Sequence, residues 1–446
     1  MEVFEMKEPK ILVRPPGPKS EHWIKRYKTS VSMPLAYNTL FSEGDGVYLK
    51  DLEGNSYISL TWASTHNIGY RHPEIVSAAI EQVEATGVGK FTTVHQTLVT
   101  LAERLREIVP PTLSKGKVSF CNTGSDSTEY AMQLARAYTG RMILIAHLGA
   151  HHGFSMGALS LTADRSERRR FCLPLVPSIV HVHYPNCYRC SFGQKYPGCD
   201  FLCLEHIRHT LNTVAPPEET AAFIIEAIQS QEVVVPPKEY FPELKKLCDE
   251  HGILFVDDEV MIGFGRTGKM WGIDHWGIEP DIMYMAKSIA NGIPLAALIG
   301  TREIMELDEK HYIVRGSTFA GNPVSCACAL AHLKVLQREN LVRNAAEVGD
   351  YILGRFRELS ETHKIIGDVR GKGLIIGIEL VKDQKSKRPA TREAGRVVTE
   401  AFNRGVMLQT TGIYKQVLRI IPPLILTKNE AETAITILEE VLKEVK

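Results

Sequence analysis

Short, almost uninterrupted apolar runs recur through the middle of the chain, and segments with helical spacing separate them. Residues 118–121, 142–146, 221–225, 253–256, 282–285 and 295–299 read as strands buried on both faces. Between them, 126–138 places Ala131, Leu134 and Ala135 on one helical face, and 241–251 reads as a further helix. Repeated βα units of this kind predict an α/β fold, with a mostly parallel sheet covered by helices.

The flanks read differently. Residues 1–43 are rich in Pro and Lys, with PPGP at 15–18, and predict a surface arm. In 44–60, Val47 and Leu49 face Tyr57 and Leu60 across the turn signal Leu52-Glu53-Gly54-Asn55, which predicts a hairpin. A helix begins near Pro73. After Asn322-Pro323 a long helix, 325–339, leads into a separate α+β region. The predicted organisation is an arm and hairpin (1–72) belonging to a small domain, a large domain (73–324) and a C-terminal small domain (325–446).

Composition adds exclusions. A chain of 446 residues is long enough for two or three domains. Lys+Arg and Asp+Glu are both 52, so no global field draws the protein to nucleic acid or an anionic membrane. The opening MEVFEMKEPK lacks the apolar core of a signal peptide, and no run approaches the roughly 18 apolar residues of a membrane span. A soluble, cytoplasmic protein is expected, with small molecules or copies of itself as partners. The nine cysteines are an odd count, and Cys121, Cys326 and Cys328 sit in apolar context, against a secreted disulfide scaffold.

The chemistry gathers in 252–300. One apolar run ends in Asp257, Asp258 and Glu259, and the next ends in Lys287 before a Gly/Pro turn. Two adjacent strands would then deliver an acid and an amine to one edge of the sheet. Strand alternation turns Asp257 and Glu259 away from Asp258. Asn122-Thr123-Gly124-Ser125 joins a strand to a helix, where free amides and the Ser125 hydroxyl suit either a phosphate or an ordinary helix cap.

DDEVMIGFGRTGK followed by PDIMYMAKSIANGIPLAALIG resembles the signature of the class III, or ω-, aminotransferases, which are fold-type I enzymes dependent on pyridoxal 5'-phosphate. The likeness runs from about Gly44 to the C-terminus. It implies that Lys287 forms the aldimine with the cofactor and that Asp258 keeps the pyridine nitrogen protonated. It also implies that Val260 lies against the ring and that Gly124 and Ser125 hold the phosphate. GSTFAGNP, 316–323, matches a loop whose threonine, here Thr318, reaches the phosphate of a neighbouring subunit, which implies a homodimer or higher homo-oligomer. Arg419 matches the residue that receives the substrate carboxylate, and Trp62 lies in a segment that either lines the substrate pocket or packs in the core.

Three positions depart from the family pattern. His151 stands in the G-A-(aromatic)-H-G slot that usually stacks on the ring, and Met261 replaces a glutamine that bonds the ring hydroxyl. Gln231 stands where ω-amino enzymes carry a glutamate that neutralises the arginine, which favours substrates with an α-carboxylate. Outside the pattern, Cys187, Cys190, Cys199 and Cys203 form C-x2-C-x8-C-x3-C, open to a structural metal, disulfides or free thiols. The reading is an aminotransferase acting on an amino acid and a 2-oxo acid. The alternatives are an amino-acid racemase on the same scaffold and, more remotely, a non-catalytic binding protein.

Overall fold

The computed structural model describes residues 8–87, 94–313 and 317–445. They divide into two compact units, Met1–Pro73 with Arg343–Lys446, and Glu74–Val342. In chain order, the first unit opens with β1 (Phe41–Asp45), β2 (Tyr48–Asp51) and β3 (Ser56–Ser59). The second unit holds β4 (Lys117–Cys121), β5 (Ile143–His147), β6 (Ile179–Val182), β7 (Thr220–Ile225), β8 (Leu254–Asp258), β9 (Ile282–Met285) and β10 (Ala296–Gly300). The first unit then closes with β11 (Ile366–Lys372), β12 (Ile375–Leu380), β13 (Val406–Met407), β14 (Gln409–Thr411) and β15 (Val417–Ile420).

The unit 74–342 is built on one sheet of order β4-β10-β9-β8-β7-β5-β6. Neighbours from β9 through β8, β7 and β5 to β6 run parallel, and β10 alone is antiparallel to the strands beside it. Every residue of β7, β8, β9 and β10 is buried, which is why these strands read as continuous apolar runs. The pleat sorts the side chains of β8. Leu254 and Val256 join Ala131, Leu134 and Ala135 of the helix Gly124–Thr139 in one core. Phe255, pointing the other way, meets Phe241 of the helix Tyr240–His251 edge-on at 6.2 Å. One helix therefore covers each face, and Asp258 shares the face of Val256.

Helix Gly124–Thr139 starts where it does because Thr123 and Asp126 form a capping box, and it stops at Gly140 with φ 69°. Losing such a cap costs about 1 kcal/mol. The helix Pro323–Arg338 also belongs to this unit, capped by the Asn322 side chain on the Ser325 amide.

The other unit carries two four-stranded sheets, β1-β2-β3-β13 and β11-β12-β15-β14. Its two chain segments are joined by β3 pairing with β13 and by Tyr57 stacking on Phe402 at 4.7 Å. The hairpin falls as the pattern predicts, with Asp51 accepting from the Asn55 and Tyr57 side chains. The arm differs: Pro18–Ser30 is a helix that buries Ile24. Pro18 sits at its first turn, where the missing N–H costs nothing, so the proline that suggests a coil opens the helix instead.

Candidate active site

The parallel strands β8 and β9 end side by side, with Asp258 opposite Tyr284 in register. Asp258 is 3% exposed. Its Oδ1 accepts from the Val260 amide at 3.0 Å, and its Oδ2 accepts from the Tyr284 hydroxyl at 2.9 Å and lies 2.7 Å from His152 Nδ1. A carboxylate offers about four acceptor positions, so three are used and one remains for a further donor. Burial works against charge on His152, but the Asp258 bond and charge, with Glu226 beyond, outweigh it and raise the His152 pKa.

Linkage gives that pair a sign. A histidine whose folded pKa is raised contributes stability that is present below its unfolded value, about 6.5, and lost as pH rises through the folded value. The melting temperature of wild type relative to Asp258→Asn is therefore expected to narrow as pH rises above neutrality. A gap constant with pH would contradict the pair.

Asp257, on the opposite face of β8, is fully buried beside Glu259. Burial pushes both carboxyls up, Glu259 to about 7, although Glu259 accepts from the Gly272 and Ile273 amides. The two flanking acids are thus directed away from Asp258, as alternation predicts.

Lys287 follows β9 at φ 44°, a left-handed conformation that costs a non-glycine residue roughly 1–2 kcal/mol. It opens the short turn Lys287–Ala290, next to Ala286. Strain at one half-buried lysine at a strand end is an observation from which function is inferred, and not the reverse.

The β4–helix loop closes over the same edge. A Cβ built on Gly124 would lie 3.0 Å from Val260 Cγ1 and 3.6 Å from Ala286 Cβ, so this glycine brings the helix start against both strand ends. Asp126 occupies the Asn122 and Thr123 amides, and Thr123 takes the Asp126 amide. The amides open to an anion are then those of Gly124 and Ser125, at the positive end of the helix. Ser125 Oγ accepts from the Phe154 amide at 3.0 Å. Gly153, at φ 138°, lies so close that a Cβ would sit 2.4 Å from that oxygen. Gly153→Ala is expected to weaken phosphate binding by about tenfold or more, since a strained backbone costs of order 1–3 kcal/mol. Titration of the variant with pyridoxal phosphate checks it, and unchanged affinity would contradict the cradle.

His151 is tied from three sides. Its amide donates to Glu226 Oε1 at 2.9 Å, its Nδ1 lies 3.6 Å from Asp164 Oδ2, and Phe154 meets its ring edge-on at 4.9 Å. Arg168 Nε shares the same Asp164 oxygen at 2.8 Å. Asn122 Nδ2 donates to Ser317 Oγ at 2.5 Å, which brings the loop before the helix Pro323–Arg338 to this edge, with Thr318 exposed beside it. Gly316 of that loop lies outside the described residues. Gln231 is buried in the turn after β7, where Gln229 and Val234 bond to each other.

The edge thus brings together Lys287, Asp258, Val260, Gly124, Ser125, His151 and, near them, the Ser317–Thr318 loop. Arg419 and Trp62 belong to the other unit. Arg419 lies on β15 opposite Gly377 and Gln409 and is 8% exposed. Trp62 is 38% exposed and packs edge-on against Tyr37 at 5.0 Å, so it is not a core residue. Sequence reading missed His152, Tyr284 and Asp164. Only Tyr284 carried a signal, because β8–β9 pairing puts it opposite Asp258.

The cysteine cluster takes the plainest of its three alternatives. Cys187, Cys190, Cys199 and Cys203 line one cavity with Tyr184, Phe192 and Phe201. All nine cysteines are free, and among the described residues no group of three or more ligating side chains is arranged to hold a metal. The metal alternative therefore finds no support among the described residues. Burial pushes the Cys187 and Cys203 thiols up to about 11.

The aminotransferase class-III family model matches residues 31–442. The chain belongs to the class III aminotransferases. It is 38% identical to the alanine/serine racemase of Pyrococcus horikoshii over 455 residues, covering 100% of this chain and 94% of that protein. It is 30% identical to a probable 4-aminobutyrate aminotransferase of Bacillus subtilis, with 91% and 93% covered. The structure superposes with a TM-score of 0.88 on an (S)-enantioselective omega-transaminase from Thermomicrobium roseum, 30% identical, covering 96% of this chain and 99% of that one. Class III aminotransferases are pyridoxal-phosphate enzymes, and the residues here fit that cofactor. Asp258 keeps an acceptor position, Gly124 and Gly153 let the backbone pack closely against Val260 and Ser125, and a lysine stands at the neighbouring strand end. The fold-type I α/β architecture predicted from the sequence holds as well.

Proposed function

We propose that this class III aminotransferase moves the amino group of an α-amino acid to a 2-oxo acid in a ping-pong cycle centred on Lys287 and Asp258. The observation that carries the reading is the buried Asp258, bonded to His152 and Tyr284, at a strand end beside that of Lys287. When bound, pyridoxal phosphate supplies an electron sink for charge at the substrate α-carbon. Asp258 holds the proton on the ring nitrogen, and the His152 and Tyr284 donors keep its carboxylate oriented. Gly124 and Ser125 take the phosphate, and Val260 limits the position of the ring. Lys287 moves the proton at the substrate α-carbon as general base and acid.

Arg419 is assigned the α-carboxylate, which a guanidinium can hold through two parallel bonds. Gln231 carries no charge to neutralise it, which supports α-amino over ω-amino substrates. Trp62 is assigned to the substrate pocket. Thr318 is assigned to the phosphate of a second subunit, so the working form is a homodimer or a larger homo-oligomer. Among the described residues no helix is long and apolar enough to cross a membrane, in keeping with a cytoplasmic enzyme.

A second reading, racemisation of an α-amino acid, is favoured by one observation: the racemase relative is the more similar over the whole chain, 38% against 30%. One experiment separates the two. Loaded enzyme receives a single enantiomer of an α-amino acid and no 2-oxo acid. Transamination alone yields one equivalent of 2-oxo acid per site and leaves the remaining enantiomer intact. Continuing loss of optical activity without oxo-acid release would replace the first reading with the second.

A further inference from the structure

The slot that the family resemblance fills with Tyr or Phe, neither of which titrates near neutrality, here holds the imidazole of His151. The imidazole has a built environment. Asp164, 2% exposed, stands 3.6 Å from Nδ1, and the Glu226 carboxylate fixes the backbone at the same residue. Titratable and charged groups face it from every element around it. Asp164, Arg165 and Arg168 come from the segment following the helix Met156–Leu161. Lys287 comes from the end of β9, Glu226 from the end of β7, and His152 is next along the chain.

These groups pull in opposite directions. Burial lowers the His151 pKa most, Asp164 works to raise it, and Lys287 and Arg168 lower it further. Arg168 shares the Asp164 oxygen, so the carboxylate is divided between two partners. With its pKa lowered the ring is uncharged near neutrality, and Asp164 Oδ2 stands 3.6 Å from Nδ1, within ion-pair range but beyond hydrogen-bond distance. In acid it gains a proton and would bring positive charge against a cofactor ring kept protonated by Asp258.

We propose that His151, oriented by Asp164, is a positioning residue that grips the cofactor ring only while its imidazole is neutral, so that cofactor retention falls in acid. The proposal rests on the assignment of this edge as the cofactor site. Its sign follows from linkage: bound cofactor disfavours the charged imidazole, so affinity is full above the pKa of the empty site and lost as pH falls through it.

The test is the dissociation constant of pyridoxal phosphate for wild type, His151→Phe and Asp164→Asn, measured by the visible absorbance of the loaded protein between about pH 5 and 8. Protonation of the phosphate affects all three alike and cancels in ratios. The ratio of wild type to His151→Phe is expected to rise by about tenfold toward the acid end, equivalent to roughly one unit of displaced pKa. Removing the carboxylate in Asp164→Asn is expected to move the loss of affinity about one unit lower in pH. A ratio constant across the range overturns the proposal. Should His151→Phe fail to fold, Asp164→Asn decides alone, and an unchanged profile overturns it. If wild type shows no absorbance band that depends on Lys287, the site assignment itself fails, a result distinct from a normal band with a flat ratio.

Discussion

Lys287→Ala is expected to lower turnover by about 10⁴-fold or more, because the group that moves the proton at the substrate α-carbon is removed outright. The fold should survive. Lys287 is half-buried and its left-handed backbone is strained, so alanine relieves no packing and removes no core atom. Pyridoxal phosphate should still bind through the Gly124–Ser125 amides and Asp258, though with a changed visible spectrum. Stopped-flow kinetics with an α-amino acid, together with a melting curve, checks both halves. Residual activity within about tenfold of wild type would place the proton transfer on another side chain.

Asp258→Ala should act on stability as well as chemistry. The carboxylate has three bonded donors and lies in the same core face as Val256. Its loss leaves His152 and the Tyr284 hydroxyl buried without their acceptor. Breaking a buried charged pair by removing one member costs about 3–5 kcal/mol, a large share of the 5–15 kcal/mol typical of a domain. Turnover should also fall by at least about 10²-fold, since ring protonation depends on the carboxylate. Asp258→Asn keeps the volume and lacks the charge, so it should recover much of the stability and little of the rate. Equal rates for Asn and Asp would contradict the role assigned to the charge.

The sheet was legible because β7, β8, β9 and β10 are buried at every residue and so appear as bare apolar runs. Their ends were legible for the same reason: an acid or a lysine stops an apolar run abruptly. The helix Pro18–Ser30 was obscured by proline and lysine composition, since only Ser20 and Ile24 are buried along it. β6 was hidden because it lies at the sheet margin, where His181 interrupts its apolar run and only Val182 is buried. The support around Asp258 needed three dimensions. His152 and Asp258 are 2.7 Å apart but 106 residues distant in sequence, and no periodicity reports such a pair. The cysteines show the converse limit, because ligand spacing gathers thiols at one cavity without arranging them around an ion.

The sharpest test of the account fixes where the cofactor is held. Loaded protein is reduced with borohydride, digested and mapped by mass spectrometry. The expected result is the mass of the cofactor on the peptide carrying Lys287, and on no other. Modification of a different lysine, or of none, would contradict the site built around Lys287 and Asp258.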